Sequence, residues 1–413
     1  MPRLFISVAQ SAVLADKTDN VLVVIELSGG NDGLNTLVPF EDDRYYKYRP
    51  TLGIPKSELI KLNDRCGVHP AMAAAAELFQ QGKLAIVQGV GYPEPDRSHF
   101  RSMEIWQTAS TEKKPPITGW LGRVVDELVH ATDTSAARTV GGQSSPASNE
   151  SHNQAATAAD PALPALALTG SLPQALQAEQ FAVPVIQQLE AIGTATGDAQ
   201  AKAQLLRKLS TVPGAKDAVI DFVRKQAETT YQAAERLAQA AAKYKSNVMY
   251  PGDLGAQLRR AAQVISADLG VRLMYASQGG YDTHSNQAGS HLGLLNELSS
   301  SLAAFQKDLE QLNVADKVIV MVFSEFGRRV DENASKGTDH GAGSCMFLTG
   351  SKVKGGLAGT YPSLEKLGDG DLIHTVDFRS VYATVLDQWL GCPSDKLLKM
   401  PQEKLPRLDL IAS

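Results

Sequence analysis

Val318-Ile319-Val320-Met321-Val322-Phe323 runs through six apolar residues with no polar interruption. No other feature constrains the fold as strongly. A strand with one wet face alternates apolar and polar residues. One without alternation is buried on both faces, as in a mostly parallel sheet covered by helices on each side. Val21-Leu22-Val23-Val24-Ile25-Glu26-Leu27 is nearly as apolar and stops at Ser28-Gly29-Gly30-Asn31-Asp32-Gly33, a strong turn cluster. Leu84-Ala85-Ile86-Val87-Gln88 follows a helix-like segment over 71–81 and runs into a loop over 89–98, with a further helix predicted from about Phe100 to Thr108. Helix, strand, loop and helix in that order is α/β grammar.

The remaining apolar patterns extend this core. Leu258, Ala261, Ala262, Ile265 and Leu269 share one helix face, Val271 to Ala276 reads as a strand, and Leu294, Leu295, Leu298, Leu302, Phe305 and Leu309 mark a second inward helix face. A strand over 345–348 and a helix over 377–390 close the domain. Residues 131–160 are rich in Ala, Ser, Thr, Gly, Gln and Asn, which predicts a low-complexity surface insertion. Residues 161–244 read as a strand followed by a helical insertion or cap, leaving 21–130 and 245–413 as the α/β core.

Composition narrows the function classes. With 413 residues and a net charge of −5, the chain lacks the basic excess of a protein that lives on nucleic-acid phosphates. Its three cysteines, Cys66, Cys345 and Cys392, are too scattered for a disulfide framework. No apolar run approaches the roughly 20 residues needed to span a bilayer. Residues 1–20 hold a short apolar stretch, Leu4 to Ala15, ahead of Asp16-Lys17. It reads either as the rear half of an export signal or as an N-terminal arm.

Polar residues collect just after the strands, where ligands bind in open α/β sheets. Asn31 and Asp32 follow the first strand. Asp282 and His284 follow the strand at 271–276, and Glu325 and Arg328 follow Val318–Phe323. Asp339 and His340 lie in the glycine-bearing loop before Cys345. Carboxylates and imidazoles from separate loops are the ingredients of a divalent metal site. Taken singly, each group also has an ordinary reading, as an Asx turn, a helix cap or a surface pair. Arg97-Ser98-His99 falls at a loop-to-helix junction, where backbone N–H groups favour an anion. Ser98 there is a candidate nucleophile or a plain N-cap, His99 a candidate acid or base, and Asn31, Arg97 and Arg328 candidate substrate-binding groups. His69 looks like a helix start and His291 a packed histidine.

Taken together, Val23 to Pro39, Arg97 to Trp106, Gly280 to Gln287, Phe323 to Arg329, Gly337 to Gly341 and Thr375 to Gly391 resemble the bacterial domain-of-unknown-function family fifteen-oh-one. Members of that family often carry twin-arginine export signals. The family is placed in the alkaline phosphatase and sulfatase superfamily. The resemblance therefore implies a doubly wound sandwich of a mostly parallel sheet between helices, a metal-assisted hydrolase site and a periplasmic or otherwise exported protein, with a cytoplasmic one as the alternative. It further implies metal ligands at Asp32, Asp282, His284, Glu325 and His340, with Asp339 beside them, and a nucleophile position near Ser98. The ion would be divalent: Zn, Mn, Mg or Ca. The chain departs from the superfamily pattern in two places. Asp282 and His284 stand two residues apart rather than four, and Glu325 has Phe326 and Gly327 beside it instead of a histidine, which argues against a complete two-metal centre. The absence of cysteine at the Ser98 loop disfavours a formylglycine sulfatase.

Two functional readings follow. One is a metal-dependent hydrolase of phosphate or sulfate esters, acting on a small molecule or an envelope polymer. The other is a non-catalytic binding or assembly protein of the cell envelope on the same fold. They differ in whether at least three ligands converge on one point.

Overall fold

The computed structural model describes residues 19–140, 163–186, 208, 236–239, 241–400 and 405–412, with the backbone course alone for 131–140. Its centre is an eight-stranded sheet. The elements used below are β1 (Val21–Leu27), α1 (Ala73–Gln80), β2 (Leu84–Gly91), α2 (His99–Thr108), α3 (Trp120–Val140), β3 (Ala165–Ala167), α4 (Gly252–Ser266), β4 (Leu273–Gln278), α5 (Gln287–Gln311), β5 (Val318–Phe323), β6 (Ser344–Thr349), β7 (Gly356–Ala358), β8 (Val376–Asp377) and α6 (Phe378–Thr384). The strand order is β7-β2-β6-β5-β1-β4-β3, with β8 extending β2.

β1 is central and parallel to both neighbours, with Ile25 opposite Ala276 of β4 and Val322 of β5. Its pleat sends Val21, Val23, Ile25 and Leu27 into one core and Leu22 and Val24 into the other. Both faces are covered, which is why the strand shows no apolar–polar alternation. The first core is closed by α1, α4 and α5, through residues such as Leu258, Ile265, Leu298 and Phe305. The second is aromatic and lies under α2, α3 and α6, where Trp106, Trp120, Phe378 and Tyr382 meet Phe323 of β5. The expected mostly parallel sheet between helices is the observed architecture.

β6 alone runs antiparallel to both of its partners, β5 and β2. The cause is the connection. Parallel neighbours need a crossover of a dozen or more residues back to the starting end of the sheet. Residues 324–343 instead stay at the carboxyl end of β5 and hand the chain directly into β6. That loop carries Glu325, Arg328, Asp339 and His340.

One local boundary moves from the sequence reading, and one helix changes its winding. α3 continues through Val140, ten residues into the segment read as an insertion. The C-terminal helix is capped by Asp377, whose side chain accepts from Arg379 N, and changes to π-helical winding over Val385–Leu390. The N-terminal stretch 1–18, positions 141–160 of the insertion, and most of the helical cap lie outside the described residues. Among the described residues no helix is long and apolar enough to cross a membrane. All three cysteines are buried and unpaired.

Trp106 stacks on Phe378 at 4.3 Å and on Phe323 at 5.3 Å between ring centroids. Replacing it by alanine leaves a large cavity between α2 and the sheet. Trp106→Ala is expected to lower the free energy of unfolding by about 3–5 kcal/mol, read as an earlier midpoint in urea at unchanged slope.

Candidate metal centre

Four loops at the carboxyl ends of β1, β2, β4 and β5 meet at one point, and glycines let them approach. Gly29 has φ +118°, and a Cβ there would stand 2.4 Å from the Asp282 nitrogen; at Gly30, with φ +80°, it would meet the Phe326 ring at 2.3 Å. A side chain at Gly29 would drive the β1 and β4 loops apart, and one at Gly30 would push the β1 loop off Phe326 of the β5 loop.

Arg328 ties these loops together. Its side chain is fully buried. It donates to Gly30 O at 2.7 Å, Thr338 O at 2.9 Å, Tyr281 O at 2.8 Å, Asp282 Oδ1 at 2.8 Å, and also to Gly29 O. A second buried assembly braces the same loops from below. Asp32 pairs with Arg49 at 2.6 Å and accepts from Gln287 Nε2 at 2.5 Å. The Gln287 carbonyl oxygen in turn accepts from Thr283 and Thr338, the residues preceding His284 and Asp339. Arg49 also donates to the carbonyls of Arg329 and Val330. Burial works against ionisation of Asp32, but the Arg49 charge and hydrogen bonds, with help from His291 and Gln287, hold it at about 2.

Above this support, three imidazoles converge on Asp282. His340 Nε2 lies 3.1 Å and His284 Nε2 3.0 Å from Asp282 Oδ1, and the two Nε2 atoms are 2.9 Å apart. His99 Nε2 lies 3.3 Å from the same oxygen but off hydrogen-bond geometry, so it is buried without a hydrogen-bond partner. Each ring's other nitrogen faces an oxygen. His99 Nδ1 meets Glu325 Oε1 at 2.8 Å, His284 Nδ1 meets Asp339 Oδ1 at 3.1 Å, and His340 Nδ1 meets the Arg97 carbonyl at 2.8 Å. A carbonyl or carboxylate only accepts, which favours a proton at Nδ1 of each ring; the Nε2 atoms of His284 and His340 also face a carboxylate oxygen, Asp282 Oδ1, so in every ring Nε2 is the atom turned to the cluster. His99, Asp282 and His340 offer ligand atoms all within 4.8 Å of one another, and His284 adjoins two of them. Separations near 3 Å are the edge lengths expected between ligands of one ion with bonds of about 2.0–2.2 Å.

The charges agree with this arrangement. Despite burial, hydrogen bonds from Arg328 and His340 hold Asp282 at about 2, so it is ionised at neutral pH. The Glu325 hydrogen bond raises His99 above its ordinary value. Hydrogen bonds from Asn333 and His284 lower Asp339.

The remaining candidates are placed as follows. Asp32 stands apart from the cluster, with Arg49, Gln287 and the Asn35 N–H on its oxygens. Glu325 is buried and accepts from Gly29 N as well as facing His99, so it orients a ring; Asp339 does the same for His284. Arg328 faces backbone oxygens and Asp282 rather than an incoming anion. Asn31 is buried on Thr36 and His291. Arg97 is paired with Asp369 and Asp371, and its carbonyl, not its guanidinium, serves the cluster. Ser98 stands at the N-cap of α2 with its side chain making no cap bond. His99 stands in the same cluster as Asp282 and His340. His69 caps a helical turn and His291 is packed, as expected. Arg49 and Gln287 carried no sequence signal, since each acts through bonds to residues far along the chain.

An open cleft of about 510 Å³ adjoins the cluster, lined among others by Glu26, Ser28, His99, Phe100, Met103, Gln107, Asp282 and Glu325.

The family model described as "Protein of unknown function (DUF1501)" matches residues 19–410. No curated protein matches the chain. Similar solved structures include the lipoteichoic acid synthase LtaP from Listeria monocytogenes, 7% identical, covering 91% of this chain and 73% of that one with a TM-score of 0.37. Another is Ps i-CgsB in complex with k-i-k-neocarrahexaose, 11% identical, covering 94% and 75% with a TM-score of 0.35.

Two outcomes are expected of the support. Arg49→Ala leaves the Asp32 carboxylate buried and unpaired, and should cost about 3–5 kcal/mol in chemical denaturation. Because the folded state lowers Asp32 from 3.8 to about 2, its contribution to stability is full above pH 3.8 and is lost as pH falls through 2. An Asp32→Asn variant should lack that acid-side loss. Separately, Glu325→Gln should bring the His99 titration down towards its ordinary value in metal-free protein, followed by NMR.

Proposed function

The chain belongs to the DUF1501 family, and we propose that it is a metal-dependent hydrolase of phosphate or sulfate esters working at His99, Asp282, His284 and His340. The observation that carries this reading is the convergence of three Nε2 atoms on Asp282 Oδ1 with an oxygen behind each Nδ1. Each ring sets Nδ1 against an oxygen and turns Nε2 to one point beside an ionised carboxylate, where an ion would take the Nε2 lone pairs. Metal-ligating histidines are held in this way, by an outer partner that fixes ring orientation and raises basicity. The buried, unpartnered Nε2 of His99 fits the same role.

A divalent ion bound there would polarise a phosphoryl or sulfuryl oxygen and make a bound water more acidic. Three imidazoles and one carboxylate suit zinc better than magnesium or calcium, which prefer oxygen ligands. The chain's own groups have separate tasks. Glu325, Asp339 and the Arg97 carbonyl hold the rings, and Arg328 keeps Asp282 ionised and in place. The cleft admits a small ester or one end of a polymer. Ser98, next to His99 and not engaged in capping its helix, is the candidate nucleophile. The ester class follows the resemblance carried by the sequence motifs, and the apolar stretch from Leu4 to Ala15 supports export.

Elemental analysis of protein purified without chelators tests the centre. The wild type should hold about one equivalent of ion, and Asp282→Ala/His340→Ala should hold none and cleave neither aryl phosphate nor aryl sulfate. Ser98→Ala should keep the ion but lose about 10²-fold or more in turnover if the serine attacks. A wild type that takes up no ion even when it is supplied, with unchanged melting in the double variant, would sink the hydrolase and leave the envelope-binding reading.

A further inference from the structure

Glu26 is the only charged residue in β1, and its side chain is on the face that packs under α2 and α6, in register with Leu22 and Val24. A carboxyl in the middle of a buried strand needs a physical reason. Its residue is 8% exposed. Oε2 accepts from Gln107 Nε2 at 2.8 Å and from the Tyr275 hydroxyl. Oε1 has no hydrogen-bond partner among the described residues and is not sealed from solvent. Glu26 lines the same cleft as His99, Asp282 and Glu325, so this oxygen opens where a substrate would enter.

The groups around Glu26 are neutral or negative. Tyr275 of β4 and Gln107 of α2 are neutral donors, Tyr382 of α6 is a buried phenol, and Glu325 beyond β5 adds negative charge. Burial, opposed by the two hydrogen bonds and reinforced by Glu325, therefore raises Glu26 above the ordinary carboxylate range. Glu325 itself is held by His99 and the Gly29 N–H. The two carboxyl groups of the cleft thus differ in their surroundings: Glu325 is engaged by donors, while Glu26 keeps one oxygen unpartnered at the cleft.

Resting on the hydrolase reading above, we propose that Glu26 is the general acid of this site, delivering a proton from its cleft-facing oxygen to the departing ester oxygen. As the phosphorus– or sulfur–oxygen bond breaks, its electron pair stays with the leaving oxygen, which takes the Glu26 proton and departs as an alcohol. Over the whole turnover, whether water attacks directly or hydrolyses an ester first formed on Ser98 and so restores its hydroxyl, one water supplies hydroxide to the phosphoryl or sulfuryl group and its remaining proton to the Glu26 carboxylate, so the enzyme returns to its starting form.

The test uses the metal-loaded full chain, with Glu26→Gln and Tyr275→Phe, on p-nitrophenyl and n-butyl esters of phosphate and sulfate. An alkoxide is a poor leaving group and needs the proton; nitrophenolate does not. Glu26→Gln should lose about 10²–10⁴-fold on the butyl ester, and less than tenfold on the nitrophenyl ester, with ion content and melting temperature unchanged. The wild-type rate should fall on the alkaline side as Glu26 ionises. That limb should vanish in Glu26→Gln and move to higher pH in Tyr275→Phe, which removes a bond that favours the carboxylate. Infrared difference spectra of both metal-free and loaded protein at neutral pH should contain the carbonyl stretch of a protonated carboxyl that is missing from Glu26→Gln. Equal losses on both esters, an alkaline limb that survives the substitution, or no such carbonyl band overturns the assignment of Glu26 while leaving the hydrolase standing. A wild type that holds the ion and shows the band but cleaves none of the esters overturns both.

Discussion

One buried guanidinium holds the site together. Arg328 bonds to backbone oxygens from the β1, β4 and β5 loops and to the carboxylate at their centre. Backbone carbonyls brought this close repel one another unless a donor lies between them, and a fork of five N–H groups is the one side chain that can serve so many at once. The geometry of the histidine cluster follows from it. Asp282 is fixed by the same group that keeps it ionised, and Thr338, two residues before His340, is fixed through its carbonyl.

A second buried ion pair, Arg49 with Asp32, does comparable work one layer deeper. Gln287 passes its constraint to both the β4 loop and the β5 loop through the hydroxyls of Thr283 and Thr338. Buried ion pairs are weak contributors to stability when measured against apolar replacements, but they define geometry because a misplaced partner leaves a charge unpaired. Charge here is used for positioning. The groups left to face a ligand are the imidazoles, and they are oriented and supplied with oxygen partners behind them.

Topology explains why these groups meet. Parallel strands end together at one side of the sheet, so loops distant in sequence share one crevice. The antiparallel return of β6 keeps residues 324–343 at that side instead of sending them into a crossover helix. That single departure from parallel order leaves Glu325, Arg328, Asp339 and His340 on one loop.

Much of this was legible in the sequence. Unbroken apolar runs at Val318–Phe323 and Val21–Leu27 specified strands buried on both faces, because burial selects side-chain type position by position. Polar residues after the strands singled out Asp282, His284 and His340, which the structure brings together, since strand ends are where an open sheet exposes its loops. The polar residues were a different matter. Sequence reading gave Asp32, Asn31 and Arg328 the same standing as Asp282, and it passed over Glu26, Arg49 and Gln287. A carboxylate or guanidinium looks alike along the chain whether it braces a loop or faces a ligand. Its role depends on which oxygens and donors lie within 3 Å, and those come from residues up to some 300 positions away. Local chemistry thus determined the elements and the candidate groups. Only the tertiary structure decided which groups are consumed by partners and which converge at the cleft, because that depends on contacts between residues far apart in the chain.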